Sequence, residues 1–291
     1  MRISISLTNY SWPGQPATTR DALAATARAA EAAGVDTLWV ADHLLQADPA
    51  SERHEPMLEA YTTLGYLAGQ TEQVRLGTLV TAATFRAPAL LIKQVTTLDV
   101  LSGGRAWLGI GVGYNTDEAA AMGLPLPATR QRYELLADTM EIAKRLWSGD
   151  DSPYRGRHSQ LDHPVSSPAP ISRPWPRLLI GGTGERRTLR LVAEYADACN
   201  LFDIPDGGVS VRRQLDALAA HCADLGRPYD EIERTITTAL PAGEPAEQFV
   251  DRCRALAALG IQHIIVITRG APWTEDALDP IAAAAGQLVG V

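Results

Sequence analysis

The sequence predicts an α/β fold, a single (β/α)8 TIM barrel with an irregular excursion after the fourth helix. Apolar runs at 74–80 and 106–112 flank a segment that begins at Pro88 and ends at Gly103 and Gly104, which is typical of strand, helix and strand. A connection of this length favours parallel pairing, because parallel strands need a long crossover. The unit repeats along the chain, with eight strands and eight helices. That number favours a closed barrel over the alternative, an open doubly wound sheet.

Each strand is predicted from a short run of β-branched and apolar residues bounded by glycine, proline or polar residues. The first alternates around Ile3, Ile5 and Leu7, and the second follows Gly34, which ends the preceding helix. The predicted strands cover residues 2–7, 35–41, 74–80, 105–112, 177–181, 197–202, 234–240 and 263–268.

Helices are predicted between the strands, where apolar residues recur at helical spacing. In the fourth helix Tyr133, Leu136 and Met140 form such a stripe, which is expected to face the core. The predicted helices cover residues 18–33, 57–69, 88–101, 131–147, 185–195, 209–225, 246–259 and 276–289. Residues 149–176 carry six prolines and break this rhythm. We expect residues 1–291 to form one domain, with this excursion covering one end of it.

Composition restricts the class of partner. The chain is 46% hydrophobic and 21% charged, as in ordinary globular proteins, and its net charge of −8 argues against nucleic acid or an anionic membrane as a partner. The three cysteines, Cys199, Cys222 and Cys253, lack the spacing of a metal knuckle, and no signal-peptide pattern is present. We therefore expect a cytoplasmic protein with reduced thiols and a small-molecule ligand.

The functional site of such a barrel lies in the loops that follow the strands. Asp42 and His43 follow the second strand, and His43 is the only histidine at a predicted carboxyl end. A histidine there can act as a general acid or base, or it can be structural; Asp42 could orient it or hold the loop. These loops contain no set of metal ligands and no Gly-x-Ser-x-Gly elbow, so a metal-dependent hydrolase is disfavoured and no metal is expected.

The glycine-rich stretch Gly181-Gly182-Thr183-Gly184 lies between the fifth strand and the predicted helix at 185–195. Free backbone N–H groups and the helix dipole favour an anion there, and Arg186 and Arg187 add positive charge. The sequence predicts a phosphate site at this loop. The alternative is an ordinary strand-to-helix turn with solvated arginines.

A second group of glycines, Gly109, Gly111 and Gly113, ends the fourth strand. The dinucleotide-binding fingerprint requires glycine at position 114, where this chain has Tyr114, so that interpretation fails. Two interpretations stay open. The glycines either let a flat ligand approach the backbone or relieve crowding where the strand leaves the barrel.

Four motifs, in order and at the ends of the expected strands, resemble the luciferase-like monooxygenase superfamily, above all its branch of coenzyme F420-dependent oxidoreductases. They are Trp39–His43, Leu76–Val80, Gly109–Gly113 and Gly181–Arg187. The resemblance implies a deazaflavin ring across the strand ends, with its phosphate at Gly181–Arg187. It also implies a non-prolyl cis peptide at Leu79–Val80 behind the ring, and His43 as an acid or base.

The resemblance implies F420 as the cofactor, with FMN as the alternative, and hydride transfer to or from a small organic substrate. An FMN-dependent monooxygenase and a non-catalytic flavin- or deazaflavin-binding protein are the other functions considered. Many family members have tryptophan where Tyr114 stands. The only two lysines, Lys93 and Lys144, lie in predicted helices, so no lysine is expected to bind a substrate phosphate. Family members often form dimers, so a homodimer is among the expected partners. The candidate residues are His43 and Asp42 for catalysis and, for cofactor binding, Leu79, Val80, Thr81, Gly111, Gly113, Tyr114, Asn115, Gly181, Gly182, Thr183, Gly184 and Arg186.

Overall fold

The computed structural model describes residues 1–288. Its strands, in chain order, are β1 (Arg2–Leu7), β2 (Thr37–Val40), β3 (Arg75–Thr78), β4 (Thr81–Ala82), β5 (Ala106–Gly111), β6 (Tyr154–Arg155), β7 (Gln160–Leu161), β8 (Arg177–Gly181), β9 (Ala198–Phe202), β10 (Glu233–Ala239) and β11 (His263–Ile267). With β3 and β4 as two parts of one strand, eight parallel strands follow the order β1, β2, β3/β4, β5, β8, β9, β10, β11. Because β11 pairs with β1 and β3 pairs with β5, the barrel is closed. The predicted fold is confirmed, and the open sheet is wrong.

Helices surround the barrel. They are α1 (Thr19–Ala32), α2 (Ala60–Ala68), α3 (Pro88–Leu101), α4 (Thr116–Met122), α5 (Thr129–Ser148), α6 (Thr188–Tyr195), α7 (Val209–Leu225), α8 (Ala246–Ala258) and α9 (Asp279–Gln287). The sequence did not predict α4, because its seven residues are too few to show a helical period. The last predicted helix opens with a 3-10 turn at Asp276–Leu278, and its predicted end, Val289, lies outside the described residues. Within residues 1–288, no helix combines the length and apolar character needed to cross a membrane.

The excursion at 149–176 is bonded to helices on the side of the barrel. Asp138 of α5 accepts hydrogen bonds from the amides of residues 157–159, at the turn of the hairpin that β6 and β7 form. Asp99 of α3 accepts from the amides of Ile171 and Ser172 at 2.6 and 2.9 Å. Both carboxylates are buried, so they fix the excursion to α3 and α5. That the excursion also covers one end of the domain stays a prediction.

Side chains alternate between the two faces of the barrel wall. Ile3, Ile5 and Leu7 point outward into the main core beneath the helices. Five inward-pointing side chains fill the interior as a separate apolar cluster: Trp39, Trp107, Leu179, Ala198 and Ile265. The two indole rings meet edge to face at 5.5 Å between centroids, and a Cβ on Gly77 would lie 2.8 Å from each tryptophan. Glycine at this position therefore makes room for two large rings in one layer.

An ionic network lies at the amino end of the barrel. Glu233 of β10 contacts His263 of β11 at 2.9 Å, Arg177 of β8 at 3.0 Å, and Arg2 of β1. Burial alone would raise the pKa of Glu233, but the hydrogen bond to His263 and the charges of Arg2 and Arg177 lower it to about 2. The ionised carboxylate links four strands opposite the end where the candidate site lies.

Candidate active site

The third barrel strand is interrupted at its carboxyl end by Leu79 and Val80, which lie between β3 and β4. The peptide bond between them is cis, as the family resemblance implied. A chain of buried hydroxyl groups supports this interruption: Thr78 donates to the Gly109 carbonyl at 2.7 Å, and Thr81 donates to Thr78 at 3.1 Å. Because Thr81 is fully buried, its side chain supports the interruption from within the barrel.

Glycines on the neighbouring strands make room for the interruption. A Cβ on Gly109 would lie 1.8 Å from the carbonyl oxygen of Thr78. A Cβ on Gly111 would lie 3.0 Å from a methyl of Val80, and one on Gly181 would lie 2.9 Å from the other. Relief of crowding, one of the two interpretations left open by the sequence, is therefore confirmed for Gly109 and Gly111. Leu79 and Val80 are half-buried, and we call this pair the platform.

His43 follows β2 and is held by a carboxylate that the sequence did not reveal. Its Nδ1 lies 2.7 Å from Oε2 of Glu118 in α4, and Oε1 of Glu118 accepts from the amides of Leu44 and Leu45 at 2.6 and 3.1 Å. The Glu118 side chain is 1% exposed, while that of His43 is 18% exposed. Nε2 of His43 has no hydrogen-bond partner among the described residues, so a ligand can reach it.

The electrostatics of Glu118 favour its charged form. Burial raises the pKa of this carboxyl, but the hydrogen bond and charge of His43, together with the amides of Leu44 and Leu45, outweigh burial and lower the pKa below its ordinary value. Asn115 caps α4 by accepting from the Glu118 amide at 3.0 Å. An asparagine three residues before a glutamate was the one sequence signal for this helix.

Asp42 was predicted either to orient His43 or to hold the loop. It makes no hydrogen bond to His43, so the first of these roles is wrong. Its carboxylate is buried and receives two hydrogen bonds from Arg86, at 2.5 and 3.1 Å. The same guanidinium reaches Glu59 at 2.6 Å and lies over the ring of Tyr61, 4.8 Å from its centroid. A buried arginine attracts its carboxylate partners strongly, so Asp42 holds the loops after β2 and β4 together.

Tyr114 follows β5 and stands beside the histidine. Its ring meets that of His43 edge to face, with 6.0 Å between centroids and 79° between planes. Tyr114 is 72% exposed, so most of the ring is open to a ligand. Gly113 has a φ of +76°, a left-handed conformation that favours glycine and directs the chain into this position.

The loop at 181–187 has the features of an anion site, although α6 begins at Thr188 and not at the predicted Glu185. Gly182 has a φ of +127° and donates its amide to the Asn200 carbonyl at 3.2 Å. Within residues 1–288, the amides of 183–187 meet no hydrogen-bond acceptor. Arg186 is exposed, and no carboxylate pairs with it in the part of the chain described. Donors without acceptors at a helix start favour a bound anion.

Three features thus share the carboxyl end of the barrel: the platform, His43 with an open nitrogen, and the 181–187 loop. A flat ring can lie on the platform while an anionic group on the same ligand meets the loop amides. Among residues 1–288, no group of three or more His, Cys, Asp and Glu side chains is arranged to hold a metal ion. The arrangement suits a flat organic cofactor that carries a phosphate.

Comparison with known proteins agrees with this geometry. The chain is 32% identical over 243 residues to an F420-dependent glucose-6-phosphate dehydrogenase of Kineococcus radiotolerans, and the match covers 80% of this chain and 67% of that protein. An F420-dependent secondary alcohol dehydrogenase, solved with an F420–acetone adduct, has the same fold with a TM-score of 0.80 at 16% identity, covering 97% of this chain and 98% of its own. EDTA monooxygenase from Chelativorans sp. BNC1 superposes with a TM-score of 0.82 at 15% identity, covering 100% of this chain and 94% of its own.

The fold and the geometry of the site define a (β/α)8-barrel protein whose candidate cofactor site lies at the carboxyl ends of its strands. The family model described as luciferase-like monooxygenase matches residues 1–286. The chain belongs to the luciferase-like monooxygenase family.

Proposed function

We propose that the protein is a coenzyme F420-dependent oxidoreductase, which transfers a hydride between the deazaflavin and a small organic substrate. The observation that carries this proposal is the position of the platform, with the 181–187 loop on one side and His43 on the other. The name of the Kineococcus relative supports the same coenzyme. When bound, the deazaflavin supplies the hydride chemistry, and the protein supplies binding and orientation.

The residues present fit such a coenzyme. Leu79 and Val80 would lie against its ring, because this pair stays partly exposed at the end of the strand and the glycines on β5 and β8 leave space for Val80. The amides of 183–187 and the guanidinium of Arg186 would hold its phosphate. Nε2 of His43 would give a proton to the substrate oxygen or take one from it, because Glu118 occupies the other ring nitrogen.

The remaining proposals concern the protein as a whole. We infer that the chain acts as one domain in the cytoplasm, with its three buried cysteines reduced, as a homodimer and without nucleic acid or membrane partners. The acidic net charge of −8 supports the absence of nucleic acid, and the free, buried state of the cysteines supports a reducing compartment.

Parallel titration of F420 and FMN, followed by fluorescence quenching, tests the proposed coenzyme. We expect F420 to bind more tightly than FMN, with substrate-dependent bleaching of F420 absorbance. Tighter binding of FMN, together with oxygen consumption in the presence of reduced FMN, would instead identify a flavin-dependent monooxygenase. Binding of F420 with no turnover of any acceptor would identify a carrier protein.

Gly182→Val is expected to weaken F420 binding at least about tenfold, because valine disfavours the left-handed region and its Cβ would lie 3.3 Å from Thr188. The loop amides would then turn away from the phosphate. Arg186→Ala should weaken F420 binding less than Gly182→Val does. Its effect should shrink as salt screens the exposed charge. The measurement is fluorescence titration at two ionic strengths.

Two substitutions serve as controls for this loop. Gly65→Val changes a glycine of α2 with open space around it, and Arg190→Ala removes an arginine of α6 that lies 3.8 Å from Asp224. Neither should alter coenzyme affinity. Wild-type affinity in a folded Gly182→Val protein would place the phosphate elsewhere, most simply at the loops after the seventh and eighth barrel strands.

A further inference from the structure

An aromatic side chain faces His43 across the opening of the barrel. Phe202 ends β9 on the same face of the strand as Ala198, which belongs to the interior cluster. By strand alternation Phe202 therefore points over the opening, and it is 49% exposed. In the closed order of eight strands, β2 and β9 are four strands apart. Their carboxyl ends, which carry His43 and Phe202, thus lie on opposite sides of the opening.

The rings of Tyr114 and Phe202 lie on opposite sides of the opening. Tyr114 stands beside His43 and is 72% exposed, while the next residue but one after Phe202, Ile204, is 43% exposed. Exposed apolar groups at the mouth of a pocket favour a ligand with an apolar surface. A substrate whose oxygen reaches Nε2 of His43 would have its body between Tyr114 and Phe202.

Apart from Arg186 and Arg187 of the 181–187 loop, three arginines lie in the loops after the barrel strands of residues 1–288, and two of them pair with carboxylates. Arg86 is enclosed by Asp42 and Glu59, Arg269 lies 3.4 Å from Asp48, and Arg53 donates to the Asp117 carbonyl at 3.2 Å. These loops contain no lysine, since Lys93 lies in α3 and Lys144 in α5.

The carboxylate that holds the histidine also disfavours a negatively charged substrate. Glu118 is buried with its pKa lowered by His43 against the effect of burial, so it is ionised at neutral pH. A phosphate on the substrate would carry close to two negative charges and would need several free cationic donors to replace its hydration. Among the described residues on this side of the opening, Arg53 is the one arginine without a carboxylate partner, so several free cationic donors are not present.

We propose that the substrate is an uncharged alcohol or carbonyl compound with an apolar body, and that Phe202 determines this specificity by packing against that body. The proposal rests on the proposed F420-dependent function and narrows its substrate class. It sets this chain apart from the relative whose name specifies glucose 6-phosphate. Phe202 acts on binding and does not take part in the chemistry.

Calorimetric titration of substrate probes into the protein loaded with reduced F420 tests the proposed substrate class. Because the reduced coenzyme cannot oxidise an alcohol, the titration measures binding without turnover. The probes are cyclohexanol and glucose 6-phosphate. We expect cyclohexanol to bind and glucose 6-phosphate not to compete with it. Phe202→Ala should weaken cyclohexanol binding about tenfold through loss of apolar contact. Phe202→Tyr should retain binding, because the ring is kept.

A matched control and a kinetic readout complete the test. Leu101→Ala removes another exposed apolar side chain, 68% exposed at the carboxyl end of α3, and should leave cyclohexanol binding unchanged. With oxidised F420, Phe202→Ala should raise KM for cyclohexanol more than it lowers kcat. Tighter binding of glucose 6-phosphate, no binding of cyclohexanol, or equal affinity in Phe202→Ala and the wild type would overturn the proposal.

The coenzyme titration separates this proposal from the one on which it depends. F420 affinity is measured for each variant and should stay at the wild-type value in Phe202→Ala. Failure of cyclohexanol to bind a protein that binds F420 overturns the substrate class alone. Failure of F420 to bind overturns both proposals.

Discussion

His43→Ala is expected to lower turnover by about 10² to 10⁴, the usual contribution of a positioned acid or base. Nε2 of His43 is open to a ligand, and Glu118 fixes the ring through Nδ1 at 2.7 Å, so alanine removes the group that we propose exchanges a proton with the substrate oxygen. Coenzyme affinity should change much less, because the platform and the 181–187 loop remain. Steady-state turnover and F420 titration of the same protein measure the two effects.

Glu118→Gln and His54→Ala make this test specific. Glutamine can keep the hydrogen bonds from the amides of Leu44 and Leu45 while it removes the carboxylate charge beside Nδ1 of His43, so turnover should fall less than in His43→Ala. His54 is exposed in the same loop and should be replaceable without loss. Unchanged turnover in a folded His43→Ala protein would give the histidine a structural role only.

Gly109→Ala is expected to be the most destabilising of the small substitutions at the site. The added Cβ would lie 1.8 Å from the carbonyl oxygen of Thr78, and backbone cannot move aside as a flexible side chain can. Overpacking in a well-packed core typically costs about 1 to 3 kcal/mol, and a backbone clash should exceed that range. Urea unfolding measures the loss of free energy of unfolding, and F420 titration shows whether the platform has moved.

Two glycines provide the comparison for this substitution. Gly111→Ala should lower the free energy of unfolding less, because its Cβ would lie 3.0 Å from a methyl of Val80 and 3.3 Å from the carbonyl oxygen of Gly181, both much longer than the 1.8 Å at Gly109. Gly65→Ala lies in α2 with open space around it, so alanine should be neutral or stabilise the helix by up to about 1 kcal/mol. If Gly109→Ala unfolded at the wild-type urea concentration, the close contact with Thr78 would not exist in solution.

Local sequence patterns were enough to predict the barrel and to place its candidate site at the carboxyl ends of the strands. Pro88 and Gly103 bound a helix because proline and glycine act on their own backbone, and the predicted range of α3 is the observed one. The family motifs also predicted the cis peptide at Leu79–Val80. Local patterns could not predict how residues 149–176 are anchored, because Asp99 and Asp138 bind residues that are distant in the sequence.

Strand period, backbone freedom and residue type are local properties, so the closed barrel, the glycines at the strand ends and the position of His43 at a carboxyl end could be predicted from the sequence. Which carboxylate each cation meets depends on the three-dimensional fold. Asp42 is adjacent to His43 in the chain but pairs with Arg86, while Glu118 reaches the histidine from 75 residues away. The tertiary structure also decided that the glycines of β5 accommodate Thr78 and Val80, because a contact between strands depends on their register in three dimensions.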